Sequence, residues 1–270
     1  MSKTNLTAWN RVELARRSDR PKSLDYINLI FSNFIELHGD RCYADDKSII
    51  GGIGLLGDIP VTVIGQQKGK TTSENIERNF GMTNPEGYRK AFRLMKQAEK
   101  FKRPVITFID TPGAYPGLGA EERGQGEAIA VNLLEMSRLK VPIICIIIGE
   151  GSSGGALALG VGDKIVMLEN AVYSILSPEG FASILYKDAT KSAEAAEKMK
   201  ITASDLKSMN IIDHIITEPE GEAQNNINLV SYEIKKYLIE NVKYLSQYTE
   251  NDLINLRYEK FRKIGNLKVK

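Results

Sequence analysis

The stretch Val105-Ile106-Thr107-Phe108-Ile109-Asp110-Thr111-Pro112-Gly113-Ala114-Tyr115-Pro116-Gly117 joins a short apolar run to a turn rich in glycine and proline. The pattern returns at Val141–Ile148, an apolar run that leads into Gly149-Glu150-Gly151-Ser152-Ser153-Gly154-Gly155. Short β-branched runs without alternation predict strands buried on both faces, and a helical segment at about Glu127–Lys140 joins them. This order predicts a right-handed βαβ unit of the α/β class, with both turns at the carboxyl edge of a parallel sheet, where such sheets bind ligands.

The second turn carries the pair Gly154-Gly155 at the predicted start of a helix. Paired glycines at such a position leave backbone N–H groups uncovered and allow a ligand to come close. The turn therefore suits an anion, or an oxygen atom that becomes negative during a reaction. A close-packed turn without a ligand is the alternative, and the second glycine turn at the same edge weighs against it.

Length and composition indicate a globular α/β protein. The 270 residues suffice for one large domain or two small ones, and we treat residues 1–270 as a single domain. The formal net charge of +2 gives no global field that would attract nucleic acid. No apolar run is long enough to span a bilayer and the N-terminus has no signal-peptide pattern, so we expect no membrane segment and a cytoplasmic location.

The two cysteines, Cys42 and Cys145, are far apart, and neither belongs to a CxxC pair. We therefore expect neither zinc nor a disulfide framework on this chain. Cys145 falls in a predicted buried strand, where it would serve as a small hydrophobic residue.

The rest of the chain predicts a sheet with helical ends. Residues 1–45 are predicted to be a helical part, with helices at 8–20 and 24–37, the second closed by His38-Gly39. A hairpin is predicted at 49–56 and 59–65, followed by a surface loop at 66–82. Further strands are predicted at 164–168, 171–176 and 211–216, and residues 220–270 are predicted to be a C-terminal helical part.

Asn84-Pro85-Glu86 predicts a helix start, with Asn84 as the N-cap and proline in the first turn. The helix should run to about Phe101 and carries a row of cations that includes Arg89, Lys90 and Arg93. A cationic helix face is commonly just solvated. The alternative hypothesis is that these side chains contact the phosphates of a nucleotide-like substrate.

The segment Gly151-Ser152-Ser153-Gly154-Gly155 matches the G-x-S-x-G pattern between a strand and a helix, which is the context of a nucleophilic serine. Ser153 would be the nucleophile of a serine hydrolase, with His214 downstream as a candidate base. The motif is short, however, and His214 falls inside an apolar strand, where a structural role is expected. The sequence pattern leaves the hydrolase open.

Longer strings of residues are more specific. Residues 103–117 closely resemble the alpha subunit of bacterial acetyl-CoA carboxylase carboxyltransferase. The resemblance extends over most of the chain, at residues 24–26, 37–41, 78–82, 85–90, 120–125, 154–160, 177–180 and 201–203.

The resemblance implies a crotonase-like fold of repeated ββα units with helical N- and C-terminal extensions. It implies transfer of a carboxyl group from carboxybiotin to acetyl-CoA, which yields malonyl-CoA for fatty acid biosynthesis. It also implies an α2β2 assembly with a beta subunit that holds zinc. Biotin would arrive on the biotin carboxyl carrier protein, and biotin carboxylase would belong to the larger complex.

The resemblance also implies roles for individual residues. The backbone of Gly154 and Gly155 would form an oxyanion hole for the carbonyl of carboxybiotin, with Gly113 and Ala114 completing it. Tyr115, Ser153, Arg89, Lys90 and Arg93 would bind substrate. Negative charge forms on the ureido oxygen and on deprotonated acetyl-CoA, so preorganised N–H donors serve this chemistry better than a nucleophile does. One departure is Ser152, where the family commonly has glycine, which would make the site slightly tighter.

Two other functions stay open. A crotonase-fold acyl-CoA hydratase or hydrolase would need a carboxylate in its site, and Glu121, Glu122 and Glu150 are candidates. Alternatively, the chain could be a non-catalytic scaffold whose partner performs the chemistry. An assay with and without the partner separates these classes.

Overall fold

The computed structural model describes residues 6–265, which form one central sheet flanked by helices. The sheet contains eight strands, numbered here in chain order. They are β1 Ser32–Glu36, β2 Ile49–Leu56, β3 Ile59–Gln66, β4 Val105–Thr111, β5 Ile143–Ser152, β6 Lys164–Leu168, β7 Val172–Ser174 and β8 His214–Ile216.

The described residues also form twelve α-helices, likewise numbered in chain order. They are α1 Ala8–Arg16, α2 Ser23–Ile30, α3 Thr72–Glu77, α4 Pro85–Lys100, α5 Leu118–Glu122, α6 Gln125–Arg138, α7 Ser153–Leu157, α8 Pro178–Tyr186, α9 Ser192–Met199, α10 Ala203–Ser208, α11 Ile227–Leu245 and α12 Glu250–Lys263. The helical N- and C-terminal extensions expected from the sequence correspond to α1 with α2 and to α11 with α12.

The strands follow the spatial order β1-β2-β3-β4-β5-β6-β8. Strand β2 is antiparallel to both of its neighbours, β1 and β3, and β3, β4, β5, β6 and β8 run parallel. Strand β7 pairs with the last three residues of β5, where Glu150 lies opposite Val172, and Val172 also forms an isolated bridge with Thr202. The predicted hairpin and the predicted βαβ unit of β4, α6 and β5 are confirmed, and all parallel strands present their carboxyl ends at one edge.

Burial explains the unbroken apolar runs. Every residue of β4 and of β5 is buried, because each strand has neighbours on both sides and helices on both faces of the sheet. Helix α4 turns one apolar stripe toward the sheet, with Leu94 and Met95 among its buried residues. The Cys145 thiol is buried in β5, and burial raises its pKa to about 12, as expected for a small hydrophobic residue.

The prediction of one helix over 24–37 is wrong in its second half. Helix α2 ends at Ile30, Phe31 is extended, and the chain continues as edge strand β1, antiparallel to β2. Asn33 adopts a φ of 51°, which interrupts any helix there. The apolar spacing was helical, but the open edge of the β2–β3 hairpin offered this segment backbone hydrogen bonds as a strand.

Three smaller predictions also need correction. The first helix ends at Arg16 and not near position 20. The segment at 66–82 is not merely a surface loop, because Gln66 is fully buried and the segment contains α3. Residues 149–152, predicted as part of a turn, extend β5, so the turn itself begins only at Ser153.

Candidate functional site

The two glycine turns meet at the carboxyl edge of the sheet. A Cβ atom built on Gly155 would lie 2.7 Å from the carbonyl carbon of Gly113 and 2.7 Å from the backbone nitrogen of Ala114. Backbone therefore packs on backbone, and only glycine at position 155 allows this approach. The sequence predicted that both turns would lie at the carboxyl edge of the sheet, and the structure places them there in direct contact.

Helix α7 begins at this contact between the turns, and no side chain caps its first turn. Its N-cap residue, Ser152, makes no side-chain hydrogen bond to the first turn. The first N–H groups of an α-helix have no partner within the helix, so they are available to another acceptor. Ser153 is exposed, Gly154 is half-buried and Gly155 is buried. The accessible part of the turn is therefore Ser153 and Gly154.

Backbone hydrogen bonds and one buried amide hold the first glycine turn in place. The Tyr115 N–H donates to the Thr83 carbonyl at 3.1 Å, and the buried Gln125 side chain donates to the Thr83 and Tyr115 carbonyls at 2.8 and 2.9 Å. Gly113 has a φ of +151°, and a Cβ there would meet no atom within 4 Å. Open space therefore adjoins the Gly113–Tyr115 turn, at a backbone conformation that disfavours other residues.

A buried amide also links the second turn to the sheet. The Gln66 side chain donates from Nε2 to the Gly155 carbonyl at 2.8 Å, while its Oε1 accepts from the Asp110 N–H at 3.2 Å. Gln66 has no exposed surface. The sequence analysis missed this residue because it assigned positions 66–82 to a surface loop.

A network of charged side chains lies beneath the turns. The Lys68 ammonium lies 2.7 Å from Asp110 Oδ1 and 2.9 Å from Glu150 Oε2, and Arg16 binds the other oxygen of Glu150 at 2.8 Å. Burial alone would raise the pKa of Glu150, but Lys68 and Arg16 hold that pKa below its usual range. Burial alone would lower the pKa of Lys68, but Asp110 and Glu150 raise it. Glu150 is therefore ionised and engaged, which makes it a poor candidate for the free carboxylate of a hydratase.

The other two candidate carboxylates, Glu121 and Glu122, are exposed on α5. An open cleft of about 260 Å³ lies beside the charged network. Its lining contains Arg16, Ser18, Lys22, Lys68, Gly69, Asn75, Phe80, Pro112 and Glu150. Because Pro112 precedes Gly113 directly, this cleft adjoins the first glycine turn.

The cations of α4 contact the loop at 38–46 within this chain. Lys90 has no exposed surface and donates to Asp45 at 2.6 Å and to the Asp46 carbonyl at 2.8 Å. Arg89 binds Asp40 at 2.7 Å, and Arg93 donates to the Gly39 carbonyl at 3.1 Å. A phosphate could reach Lys90 only if this loop moved away, whereas Arg89 and Arg93 keep part of their surface exposed.

Ser153 has the backbone geometry of a nucleophilic serine, but neither histidine of the chain lies close to it. Its φ of 58° places an exposed side chain on a tight strand-to-helix turn. His214, the first residue of β8, is in register with Ile146 of β5, which lies two strands away. Ile146 precedes Ser153 by seven residues, so His214 and Ser153 are separated by about 23 Å along the strand direction. Burial lowers the pKa of His214, whose ring stacks on Tyr237 at 4.8 Å. His38 follows β1, four strands from β5, or about 19 Å across the sheet.

Comparison with solved structures defines the fold class of this protein. The structure superimposes on transcarboxylase 12S with a TM-score of 0.64 at 17% sequence identity, covering 84% of this chain and 44% of that one. At this identity the likeness establishes the fold, which is the crotonase-like fold of carboxyltransferases. The expected fold class is confirmed.

The family follows from sequence. A family profile described as "Acetyl co-enzyme A carboxylase carboxyltransferase-like" matches residues 2–265. The acetyl-coenzyme A carboxylase carboxyl transferase subunit alpha of Clostridium botulinum is 64% identical over 96% of this chain and 94% of its own length. The chain belongs to the family of acetyl-CoA carboxylase carboxyltransferase alpha subunits.

A relative from Clostridium tetani carries subunits beta and alpha together in one polypeptide. It is 62% identical over 99% of this chain, which spans 47% of that relative. In that relative, the part that matches this chain is thus joined to a beta subunit. Within residues 6–265, no helix is both long and apolar enough to cross a membrane.

Proposed function

We propose that this chain supplies the carboxyl-donor half of an acetyl-CoA carboxylase carboxyltransferase site. The observation that supports the proposal is the contact between the Gly154-Gly155 and Gly113-Ala114 turns, beside open space at the carboxyl edge of the sheet. Family membership supplies the reaction. The enzyme transfers a carboxyl group from carboxybiotin to acetyl-CoA and produces malonyl-CoA, which commits acetyl units to fatty acid biosynthesis.

When bound, carboxybiotin would supply the carboxyl group by cleavage of its nitrogen–carboxyl bond, the acetyl methyl group would give its proton to that nitrogen, and the methyl carbon would form the new bond. The uncapped first turn of α7 would donate backbone N–H groups to the oxygen on which negative charge accumulates. Gly154 would let that oxygen approach, and Gly155 would hold the turn against Gly113. The space beside Gly113, where a Cβ would meet no atom within 4 Å, leaves room for a ligand beside the turn.

The remaining expectations belong to the same proposal. We propose that acetyl-CoA lies near Tyr115 and Ser153, that biotin arrives on its carrier protein, and that biotin carboxylase regenerates carboxybiotin in a larger complex. Arg89 and Arg93 stay candidates for phosphate contacts, and Lys90 would support the loop at 38–46. Zinc on the beta subunit, the α2β2 stoichiometry and the cytoplasmic location also stay predictions.

The test is reconstitution. The purified chain, its beta partner, and both together are each supplied with acetyl-CoA and carboxybiotin on the carrier protein, and malonyl-CoA is measured. We expect malonyl-CoA only from the mixture, because each subunit contributes half of the site. Full transfer by this chain alone would contradict the shared site, and no transfer by the mixture would contradict the function.

A further inference from the structure

The side chain of Gln66 links the end of β4, which leads into the first glycine turn, to the second glycine turn. Gln66 ends β3, next to β4 in the sheet, and its side chain spans from the backbone of Asp110 at the end of β4 to the carbonyl of Gly155 in α7. The residues it bridges are 44 and 89 positions away in sequence. One side chain thus joins three separate segments at the carboxyl edge.

The bridge is buried, and both the nitrogen and the oxygen of the amide have a partner. Gln66 has no exposed surface, and its backbone carbonyl accepts a hydrogen bond from Ser23 Oγ at 2.5 Å. An amide is the neutral side chain that offers one acceptor and one donor in this geometry, as the Asp110 N–H and the Gly155 carbonyl require. Replacing either atom would leave a buried backbone group without its partner.

The Gly155 carbonyl shares a rigid peptide plane with the N–H of Ala156. The Gln66 hydrogen bond therefore sets the tilt of a peptide in the first turn of α7. Gly155 also packs on Gly113 and Ala114, so a change in this tilt would shift both glycine turns together. Small shifts of this kind matter for catalysis, because a displacement of a catalytic group by about 1 Å can lower the rate about 100-fold.

We propose that Gln66 is a positioning residue for carboxyl transfer, which acts by holding the Gly155 peptide in register with the end of β4. The inference rests on the proposed function of the glycine turns. Gln66 is fully buried and offers no surface to a substrate, so its removal should lower kcat and leave KM for acetyl-CoA nearly unchanged.

The sharpest variant is Gln66→Glu. A protonated glutamic acid reproduces one donor and one acceptor, whereas a carboxylate presents only acceptors and repels the Gly155 carbonyl. Asp110, whose N–H binds Gln66, carries a carboxyl group that shares Lys68 with Glu150. The two carboxyl groups disfavour a further negative charge here, whereas Lys68, and Lys22 and Arg20, which interact with Asp110, favour it. We expect a new inflection in the kcat profile, with activity that rises as pH falls and the introduced carboxylate gains its proton.

A matched control is Gln67→Glu. Gln67 is also buried, and its side chain likewise accepts from one backbone N–H, that of Leu24, and donates to one carbonyl, that of Lys68. The two substitutions remove the same kind of hydrogen bond, but only Gln66 contacts α7. Gln67→Glu should lower the melting temperature without adding an inflection to the kcat profile.

A second variant and a second measurement protect the test from poor folding. Gln66→Met removes both hydrogen bonds without adding charge and should lower kcat about 10- to 100-fold at every pH. Hydrogen exchange on the isolated chain should rise at residues 111–115 and 153–157 in Gln66→Met, and Gln67→Met should leave these segments protected.

All kinetic assays use the complex with the beta partner. Normal kcat in folded Gln66→Met, or the same inflection in Gln67→Glu, would overturn the positioning role. A wild-type complex that makes no malonyl-CoA would instead overturn the proposed function. The two failures are therefore distinguishable.

Discussion

Gly155 packs against Ala114 so closely that a Cβ at position 155 would lie 2.7 Å from the Ala114 nitrogen. The neighbouring Gly154 differs, because a Cβ there would lie 3.6 Å from Ile129, an ordinary contact. Two adjacent glycines thus have different physical requirements. Position 155 needs glycine for packing between the turns, and position 154 needs it only if a ligand comes close.

This difference predicts opposite outcomes for two alanine variants. Gly154→Ala should keep its melting temperature but lose about 10²- to 10³-fold in carboxyl transfer, because the methyl group blocks an oxyanion donor. Gly155→Ala should lower stability by about 1–3 kcal/mol, because its methyl group overlaps backbone. Thermal melting and transfer assays of both variants with the beta partner provide the comparison. Near-normal transfer by Gly154→Ala would place the oxyanion donors elsewhere.

Ser153 should be dispensable as a nucleophile. Its hydroxyl has no histidine within reach, and carboxyl transfer requires no acyl-enzyme. Ser153→Ala should therefore retain most activity, within about tenfold of wild type. A fluorophosphonate probe should leave the wild-type chain unlabelled. Stoichiometric labelling together with loss of activity would favour a serine hydrolase.

Lys90 should determine how stability depends on pH at the acidic end. Burial alone would raise the pKa of Asp45, but Lys90, the Gly39 N–H and His38 lower it to about 2. A lowered folded-state pKa means that the stabilisation is present above the unfolded value, about 3.9, and is lost as pH falls toward 2. Urea unfolding of Lys90→Met should show lower stability at neutral pH and a shallower loss over this window. Parallel curves for both proteins would argue against the pairing.

Arg93 provides the remaining test of phosphate binding by α4. Its guanidinium donates to the Gly39 carbonyl but stays partly exposed, so a phosphate could approach it. Arg93→Glu should raise KM for acetyl-CoA several-fold and weaken the salt dependence of KM, because a surface cation is screened by salt. Lys100→Glu, at the exposed last residue of the same helix, is the matched charge reversal. Equal effects of the two substitutions would indicate a general charge effect.

Lys68 should be essential for folding of the site. Lys68→Met would leave the buried carboxylates of Asp110 and Glu150 without their shared cation, which costs about 3–5 kcal/mol for a broken buried pair. The variant should gain stability relative to wild type as pH falls, because protonation removes the negative charge that Lys68 no longer balances, even though Arg16 still binds Glu150. Denaturant unfolding at several pH values measures the effect, and a constant difference at every pH would contradict it.

The sequence by itself determined the features that depend on neighbouring residues. The apolar runs that became β4 and β5 and the hairpin of β2 and β3 were predictable, because residue periodicity and turn chemistry act over a few residues. The long shared strings also identified the family. The start of α4 was predicted as well, although the Asn84 side chain makes no capping bond.

Tertiary structure decided what depends on strand order and register. Segment 32–36 became a strand because β2 offered an open edge, although its apolar spacing was helical. Lys90 belongs to a row of cations on α4 that the sequence indicated to be either solvated or ligand-binding, but the loop at 38–46 buries its side chain. Ser153 and His214 fit a motif in sequence, yet the register places them at opposite ends of the parallel strands.

Gln66 and Gly155 make the same point at the site itself. No local pattern relates them, because their bond joins residues 89 positions apart. It exists because the sheet order places β3 next to β4, and β4 next to β5, so that their carboxyl ends meet. Local sequence sets which segments form strands and turns, whereas the long-range pairing of those strands sets which side chains reach the same turn.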